Sequence, residues 1–300
     1  MRVTILGGTG FIGQALVRRL LQLNYQVTVL DRFPLTAAHI LPTKVIILPW
    51  DTFDSSKWRT GIVTAEAVIN LAGAPLIGRR WNRGYKDLLV SSRIETTQAI
   101  VRELLTPGCP KITLINASAV GYYGDTGEQA VSEDSPPGDN FPARLCQQWE
   151  SAVLEAKKGG HQVIMLRSGL VLGVNGGIMR SLLPFYHAKI GLQFGDGHQW
   201  LSWISLEDEI NLIIRLLATP NLSGPINATS PNPIRQKDFN QEMCQTYGCW
   251  LTLPIPARVS RIILGEAGQM LYTSQKVIPR KLLDLGYKWQ NSKVGAPGRI

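Results

Sequence analysis

Cysteine and histidine are scarce in this chain, with four of each in 300 residues. Cys109, Cys146, Cys244 and Cys249 show no Cys-x-x-Cys spacing, and His39, His161, His187 and His198 are scattered, so neither a metal site nor a disulfide framework is suggested. Acidic residues are also few, 22 against 31 Lys and Arg, which leaves a net charge of +9. The basic residues are not massed into a stripe with interleaved aromatics, and nucleic acid is therefore not the expected partner. Arg79, Arg80, Arg83, Lys86 and Arg93 form one local excess; Arg258, Arg261, Lys276, Arg280, Lys281, Lys288, Lys293 and Arg299 form another. Most are expected on a solvated surface, with a few available to a phosphorylated cofactor or an anionic substrate. No window offers about eighteen uninterrupted apolar residues, and the first strand-like run begins at Arg2, so no integral membrane segment or leader is expected and the reading is a cytoplasmic protein.

Glycine is abundant, and its placement is informative. The run Gly7-Gly8-Thr9-Gly10-Phe11-Ile12-Gly13 follows apolar Val3-Thr4-Ile5-Leu6 and precedes helix-like Gln14 to Leu20. Glycines at 7, 10 and 13 permit a tight turn, close approach of backbone to a pyrophosphate and close packing of helix on strand, while the helix N-terminus offers amide donors. The ligand this predicts is a nicotinamide dinucleotide. About eighteen residues beyond Gly13, the strand-like run Gln26–Leu30 ends in Asp31-Arg32, where the group that reads the adenosine ribose is expected.

Further apolar runs at Val45–Leu48, Ala67–Leu71, Ile112–Asn116 and Val163–Leu166 are separated by segments long enough for crossover helices. This predicts an α/β protein with a Rossmann-type, doubly wound parallel sheet over residues 1–170. Helices are expected over Tyr85–Leu105 and Phe141–Lys157, the latter ended by Gly159-Gly160. Their apolar stripes would cover either a sheet face or a homodimer partner. From 171 to 300 the elements shorten and Gly and Pro become frequent, predicting a smaller C-terminal α+β substrate lobe, with residues 201–228 able to return to the sheet.

The glycine run, Asn70-Leu71-Ala72-Gly73, Ser118-Ala119-Val120-Gly121-Tyr122-Tyr123-Gly124 and Arg167-Ser168-Gly169-Leu170-Val171-Leu172-Gly173 together resemble the extended short-chain dehydrogenase/reductases. Arg80-Trp81-Asn82, Ser92-Arg93, Cys146-Gln147-Gln148-Trp149-Glu150, Gln199 to Ile204 and Ser274 to Pro279 narrow the resemblance to an atypical subgroup. Its members are usually described as NAD(P)-dependent epimerase-family proteins, sometimes as cell-division-inhibitor-like. The resemblance covers nearly the whole chain. It implies cofactor contacts at Gly7, Gly10, Phe11, Ile12, Gly13, Asp31, Arg32, Leu71, Ala72, Arg93 and Val171. Asp31 suits a free ribose 2′-hydroxyl and Arg32 a 2′-phosphate; the preferred reading is NADP, with NAD the alternative.

The resemblance also marks a departure. The family's Tyr-x-x-x-Lys pair becomes Phe141 with Leu145, or Pro142 with Cys146, depending on the register. Neither supplies a phenol or an ammonium. Ser118 is expected to donate a hydrogen bond to a substrate oxygen. Tyr122 or Tyr123 is a candidate proton donor or a packing residue, and Cys146 a candidate acid or nucleophile or a buried helix cysteine. In the second lobe His198 is a candidate acid or base or an exposed loop histidine. Trp200 and Trp203 would form an aromatic wall against substrate or part of the core, and Asp208 would cap or orient a local turn. The leading expectation is hydride transfer, or epimerisation through transient oxidation, on a small hydroxyl or carbonyl substrate. The alternative is a nonenzymatic NADP(H)-sensing module, linked by the resemblance to cell division.

Overall fold

The computed structural model describes residues 1–294, which leaves Arg299 outside the described residues. The strands, in chain order, are β1 (Arg2–Leu6), β2 (Gln26–Asp31), β3 (Ile46–Pro49), β4 (Ala67–Asn70) and β5 (Thr113–Ala119). They continue as β6 (Ala130–Val131), β7 (Gln162–Ser168), β8 (Leu170–Leu172), β9 (Ile190–Phe194) and β10 (Trp200–Leu201). The last five are β11 (Trp203–Ser205), β12 (Gly224–Ala228), β13 (Ile234–Arg235), β14 (Leu251–Ile255) and β15 (Lys276–Val277).

Seven strands form one parallel sheet in the order β12-β7-β5-β4-β1-β2-β3. The chain steps outward from β1 to β3, then crosses to the other side of β1 and proceeds to β12. That reversal leaves a crevice at the carboxyl ends of β1 and β4, the place where doubly wound sheets take ligands. Both sheet faces are covered, which is why β4, Ala-Val-Ile-Asn, is buried throughout and reads as a continuous apolar run.

On one face α1 (Phe11–Gln22) buries Leu16, Val17 and Leu20 in the same core as Ile213 and Leu216 of a helix over Leu206–Leu217. On the other, the helices Arg83–Leu104 and Phe141–Leu154 pack against the sheet and each other, with Ile100, Leu104 and Val153 in the core. Asn82 and Asn140 cap these helices by accepting from the amides of Tyr85 and Ala143. The second helix ends earlier than the sequence predicts, and Glu155–Gly159 form a 3₁₀ turn.

Residues 206–228 contribute a sheet-covering helix and the edge strand β12. Most of the remainder after β7 builds on the pairs β8–β11, β9–β14 and β10–β13 around a separate core containing Leu172, Met179, Tyr186, Trp203, Phe239 and Met243, while β15 pairs back with β6 in a smaller cluster of Val120, Tyr123, Val131 and Val277. Among the described residues no helix is long and apolar enough to cross a membrane.

A C-terminal segment is fastened across the start of helix Leu206–Leu217. Asp208 is buried: its carboxylate accepts from Ser205 Oγ and from the amides of Gln290 (2.8 Å) and Asn291 (2.9 Å). Asp208 thus orients more than its own turn. Its neighbour Glu209 is fully buried, accepts from Ser168 Oγ at 2.6 Å, and has no partner for Oε2 among the described residues. Burial pushes its carboxyl up to about 7 from 4.5, with the Ser168 bond opposing. A carboxyl raised on folding stabilises the native state below pH 4.5, and that contribution is lost as pH rises to 7. The expected loss is about 3 kcal/mol. In urea unfolding, stability relative to the Glu209→Gln variant should decline by this amount across that window; parallel pH profiles would contradict it.

Candidate functional site

The crevice is built from backbone. Gly7 has φ +77°, and a Cβ placed on it would lie 2.8 Å from the Leu71 carbonyl carbon, so the loops leaving β1 and β4 touch. A Cβ on Gly13 would lie 2.1 Å from the Gly7 carbonyl oxygen. Both positions therefore exclude any side chain. Gly10 sits at the N-cap of α1 with no side-chain cap and no acid in the first turn, leaving the helix-terminal amides available to an anion. Ile12 lies half-buried in that turn. The Phe11 ring packs on the loop after β8: Cβ atoms added to Gly173 and Gly176 would meet it at 2.8 and 2.2 Å. Val171, half-buried in β8, pairs in register with Ile204.

At the end of β2 the two residues with competing implications are separated by their partners. Asp31 accepts from Thr9 Oγ1 and from the Phe33 amide, each at 2.8 Å, which ties it to the glycine loop. Arg32 is exposed, lies 5.9 Å from the Phe33 ring, and has no ion-pair partner among the described residues.

Beneath the β4 loop, Asn70 donates to Asn116 and Thr97, and accepts from the Ala72 amide. Arg93 is buried there with no acidic partner among the described residues: it donates to the carbonyls of Leu89 and Ala74 and lies 5.1 Å from the Trp149 ring. Burial pulls its pKa down. Its guanidinium supports Gly73 from below, and its uncompensated charge suits an anion in the crevice. Uncapped amides, a backbone cradle and this cation fit a dinucleotide phosphate.

The strand-end candidates meet in one buried network. Ser118 Oγ donates to Glu150 Oε1 at 2.7 Å, and Glu150 receives a two-pronged bond from Arg167, Nε–Oε1 and Nη2–Oε2 both 2.8 Å. Arg167 Nη1 donates to the Tyr123 hydroxyl, which donates to Asn227 Oδ1. The Arg167 guanidinium lies 3.5 Å from the Tyr122 ring centroid. Burial opposes the charge of Arg167, but Glu150 and Tyr123 together hold its pKa above the usual range.

This arrangement places three of the candidates in buried surroundings. Ser118 donates a hydrogen bond to Glu150, and Tyr123 is buried with its phenol pushed up to about 12 by desolvation. Cys146 is buried against the Ala119 carbonyl, its thiol pushed up to about 11 by desolvation and then by the Glu150 charge, which disfavours a nucleophilic thiolate. Of the four candidates, only Tyr122 remains half-buried rather than buried.

In the second lobe the tryptophans divide. Trp203 is 2% exposed and donates to the Asn232 carbonyl, so it is core and not a wall. Trp200 is half-buried between Arg235 (4.0 Å) and Lys276 (4.6 Å) and donates to Glu128. His198 is exposed, its carbonyl accepting from Arg235. A cleft lies among Arg80, Trp81, Asn82, Arg261, Gly265 and Glu266. Glu266 is neutralised by Lys86, whereas Arg80 and Arg261 have no ion-pair partner among the described residues. Within those residues no cluster could hold a metal ion.

Sequence reasoning did not identify Glu150 and Arg167 as partners. The available signal was two opposite charges at positions that the apolar pattern marks as interior. Removing one partner strands the other charge, so Glu150→Ala should cost about 3–5 kcal/mol. Ser118→Ala should cost only about 1–2 kcal/mol. Urea midpoints of the two variants check the order; equal losses would refute the dominance of the ion pair.

A family model described as the NAD dependent epimerase/dehydratase family matches residues 3–228, and one described as a domain of unknown function (DUF1731) matches residues 255–296. The chain is 37% identical over 301 residues to the epimerase family protein SDR39U1 homolog, chloroplastic, of Arabidopsis thaliana, covering 97% of this chain and 83% of that one. The crystal structure of human epimerase family protein SDR39U1 (isoform2) with NADPH superposes with a TM-score of 0.86 at 30% identity, covering 100% of this chain and 98% of that one. The UDP-glucuronic acid 4-epimerase of Bacillus cereus shares the fold at a TM-score of 0.77 and 22% identity, over 97% of this chain and 95% of that one. With its parallel sheet, glycine cradle and this span of matched residues, the chain belongs to the NAD dependent epimerase/dehydratase family.

Proposed function

We propose that the protein binds NADP(H) across the β1/β4 crevice and transfers hydride to or from a small hydroxyl or carbonyl substrate, as net oxidoreduction or within an epimerisation. The observation that carries this reading is the uncapped start of α1 above the Gly7 and Gly13 backbone, with Arg32, which has no ion-pair partner among the described residues, at the end of β2. When bound, the nicotinamide supplies the hydride donor or acceptor. The chain's own part is to hold the phosphates at the amides of Phe11, Ile12 and Gly13, line the loop with Leu71 and Ala72, and offer Arg32 to a 2′-phosphate. Asp31 is held by Thr9 and Phe33, which favours the phosphorylated cofactor over NAD; the human relative crystallised with NADPH supports the same preference.

Tyr122 is the phenol best placed to serve as proton donor, since Tyr123 and Ser118 are committed to the buried network. Arg80 and Arg261, around one cleft and without ion-pair partners among the described residues, favour a substrate bearing a carboxylate or phosphate. The reading places the protein in the cytoplasm. The same commitment of Ser118, Tyr123 and Cys146 favours the second reading, a cofactor-sensing module without turnover.

Arg32→Ala should weaken NADPH binding at least about tenfold while changing NADH binding little. Titration calorimetry with both cofactors checks this, and equal losses would defeat the NADP preference. Loading the protein with NADPH deuterated at nicotinamide C4 and incubating it with a metabolite extract tests the chemistry. Deuterium in a metabolite supports hydride transfer; binding without transfer favours the sensing module, with recycled epimerisation then tested by solvent or substrate isotope exchange.

A further inference from the structure

Cys244 and Cys249 have no part in the proposed cofactor site, and the fold places them side by side. Helix Gln236–Tyr247 ends at Gly248 in the left-handed conformation, φ 67° and ψ 47°. The Cys249 amide donates to the Cys244 carbonyl at 3.0 Å, the six-to-one bond of a Schellman cap. In that cap the side chains on either side of the bond meet, usually as an apolar contact. Here both are cysteines, and both side chains pack against the same apolar core. Each is half-buried, so a small oxidant can reach the pair. Both are unbonded thiols in the structure.

We propose that Cys244 and Cys249 form a dithiol–disulfide site that a disulfide-class oxidant such as glutathione disulfide converts reversibly. A thiolate of the pair attacks the glutathione disulfide, forming a mixed disulfide and releasing one glutathione. The second thiol loses its proton and attacks the mixed disulfide, forming the Sγ–Sγ bond and releasing the second glutathione. Two cysteines are oxidised and one glutathione disulfide is reduced. The helix cap already holds the two residues together through their 3.0 Å backbone bond, so closing this short loop demands little reorganisation of the native chain. Burial, then the neighbouring sulfur, pushes the Cys249 thiol up to about 11 against the Lys189 ammonium. Exchange at neutral pH is therefore slow, and the equilibrium position is the informative quantity.

The bond would tie the helix to the residues that lead into β14, which pairs with β9. The carbonyl of Ile255, at the end of β14, accepts from the Gly195 amide and the Tyr272 hydroxyl.

The test equilibrates the intact protein in glutathione buffers of graded ratio, quenches with acid, alkylates remaining thiols and weighs the tryptic peptide 238–258, which contains both cysteines. The expected product is a peptide lighter by two hydrogens and carrying no alkyl group. Half-conversion should occur at a ratio at least about tenfold more reducing than for the guanidinium-unfolded chain. In Cys249→Ser the same peptide should carry only glutathione or the alkyl label. Conversion no easier than in the unfolded chain, or mixed disulfides persisting on either cysteine of the wild type, would overturn the proposal.

Discussion

The pairing of Glu150 with Arg167 constrains this molecule more widely than any other side-chain contact at the strand ends. Arg167 sits within β7 and Glu150 on the helix that covers it, both excluded from water. A charge of either sign alone at that depth would be strongly unfavourable, and the two-pronged geometry makes the interior tolerable to both. From this pair the polar contacts spread to Ser118 on β5, Tyr123 beyond it and Asn227 on the edge strand β12. Glu133 extends them, its carboxylate accepting from the amides of Asn227 and Arg280 and its carbonyl from Arg167. One connected set of bonds therefore fixes the central sheet against the C-terminal region.

This network gives the polar side chains at the strand ends partners within the protein. A serine at the end of the fifth strand and a tyrosine following it are both present, yet each hydroxyl is already engaged with protein. The phosphate end of the crevice has the opposite character: its amides and guanidinium groups lack anionic partners among the described residues, and backbone contact defines its shape. Binding capacity is thus expressed by groups left open, and structural rigidity by groups that are paired.

The sheet and the cradle were legible in the sequence because each rests on a local, steric rule. Gly7 and Gly13 are required by approaches that no side chain survives, and buried parallel strands show as apolar runs at crossover spacing. Partner choice was not legible. Whether Trp203 lines a cavity or fills a core depends on what lies opposite it, here the lobe's own helices, and Trp200 three residues earlier meets Arg235 and Lys276 instead. Ser118 likewise looks like a substrate ligand until Glu150, one helix away, is brought within 2.7 Å. Tertiary contacts between residues far apart in sequence decide these cases, and composition carries no trace of them.

The seating of the Phe11 ring on Gly173 and Gly176 joins the first turn of α1 to the chain that follows β8. Because both glycines would collide with the ring if they gained a Cβ, the three positions form a single steric unit spread over more than half the length of the chain. Divergence at one of them is permissible only with compensation at another: a smaller residue at 11 would leave a void to be filled from the loop, and a side chain in the loop would require a smaller residue at 11. The dinucleotide end of the molecule and the entrance to its second lobe are consequently bound to a shared evolutionary course.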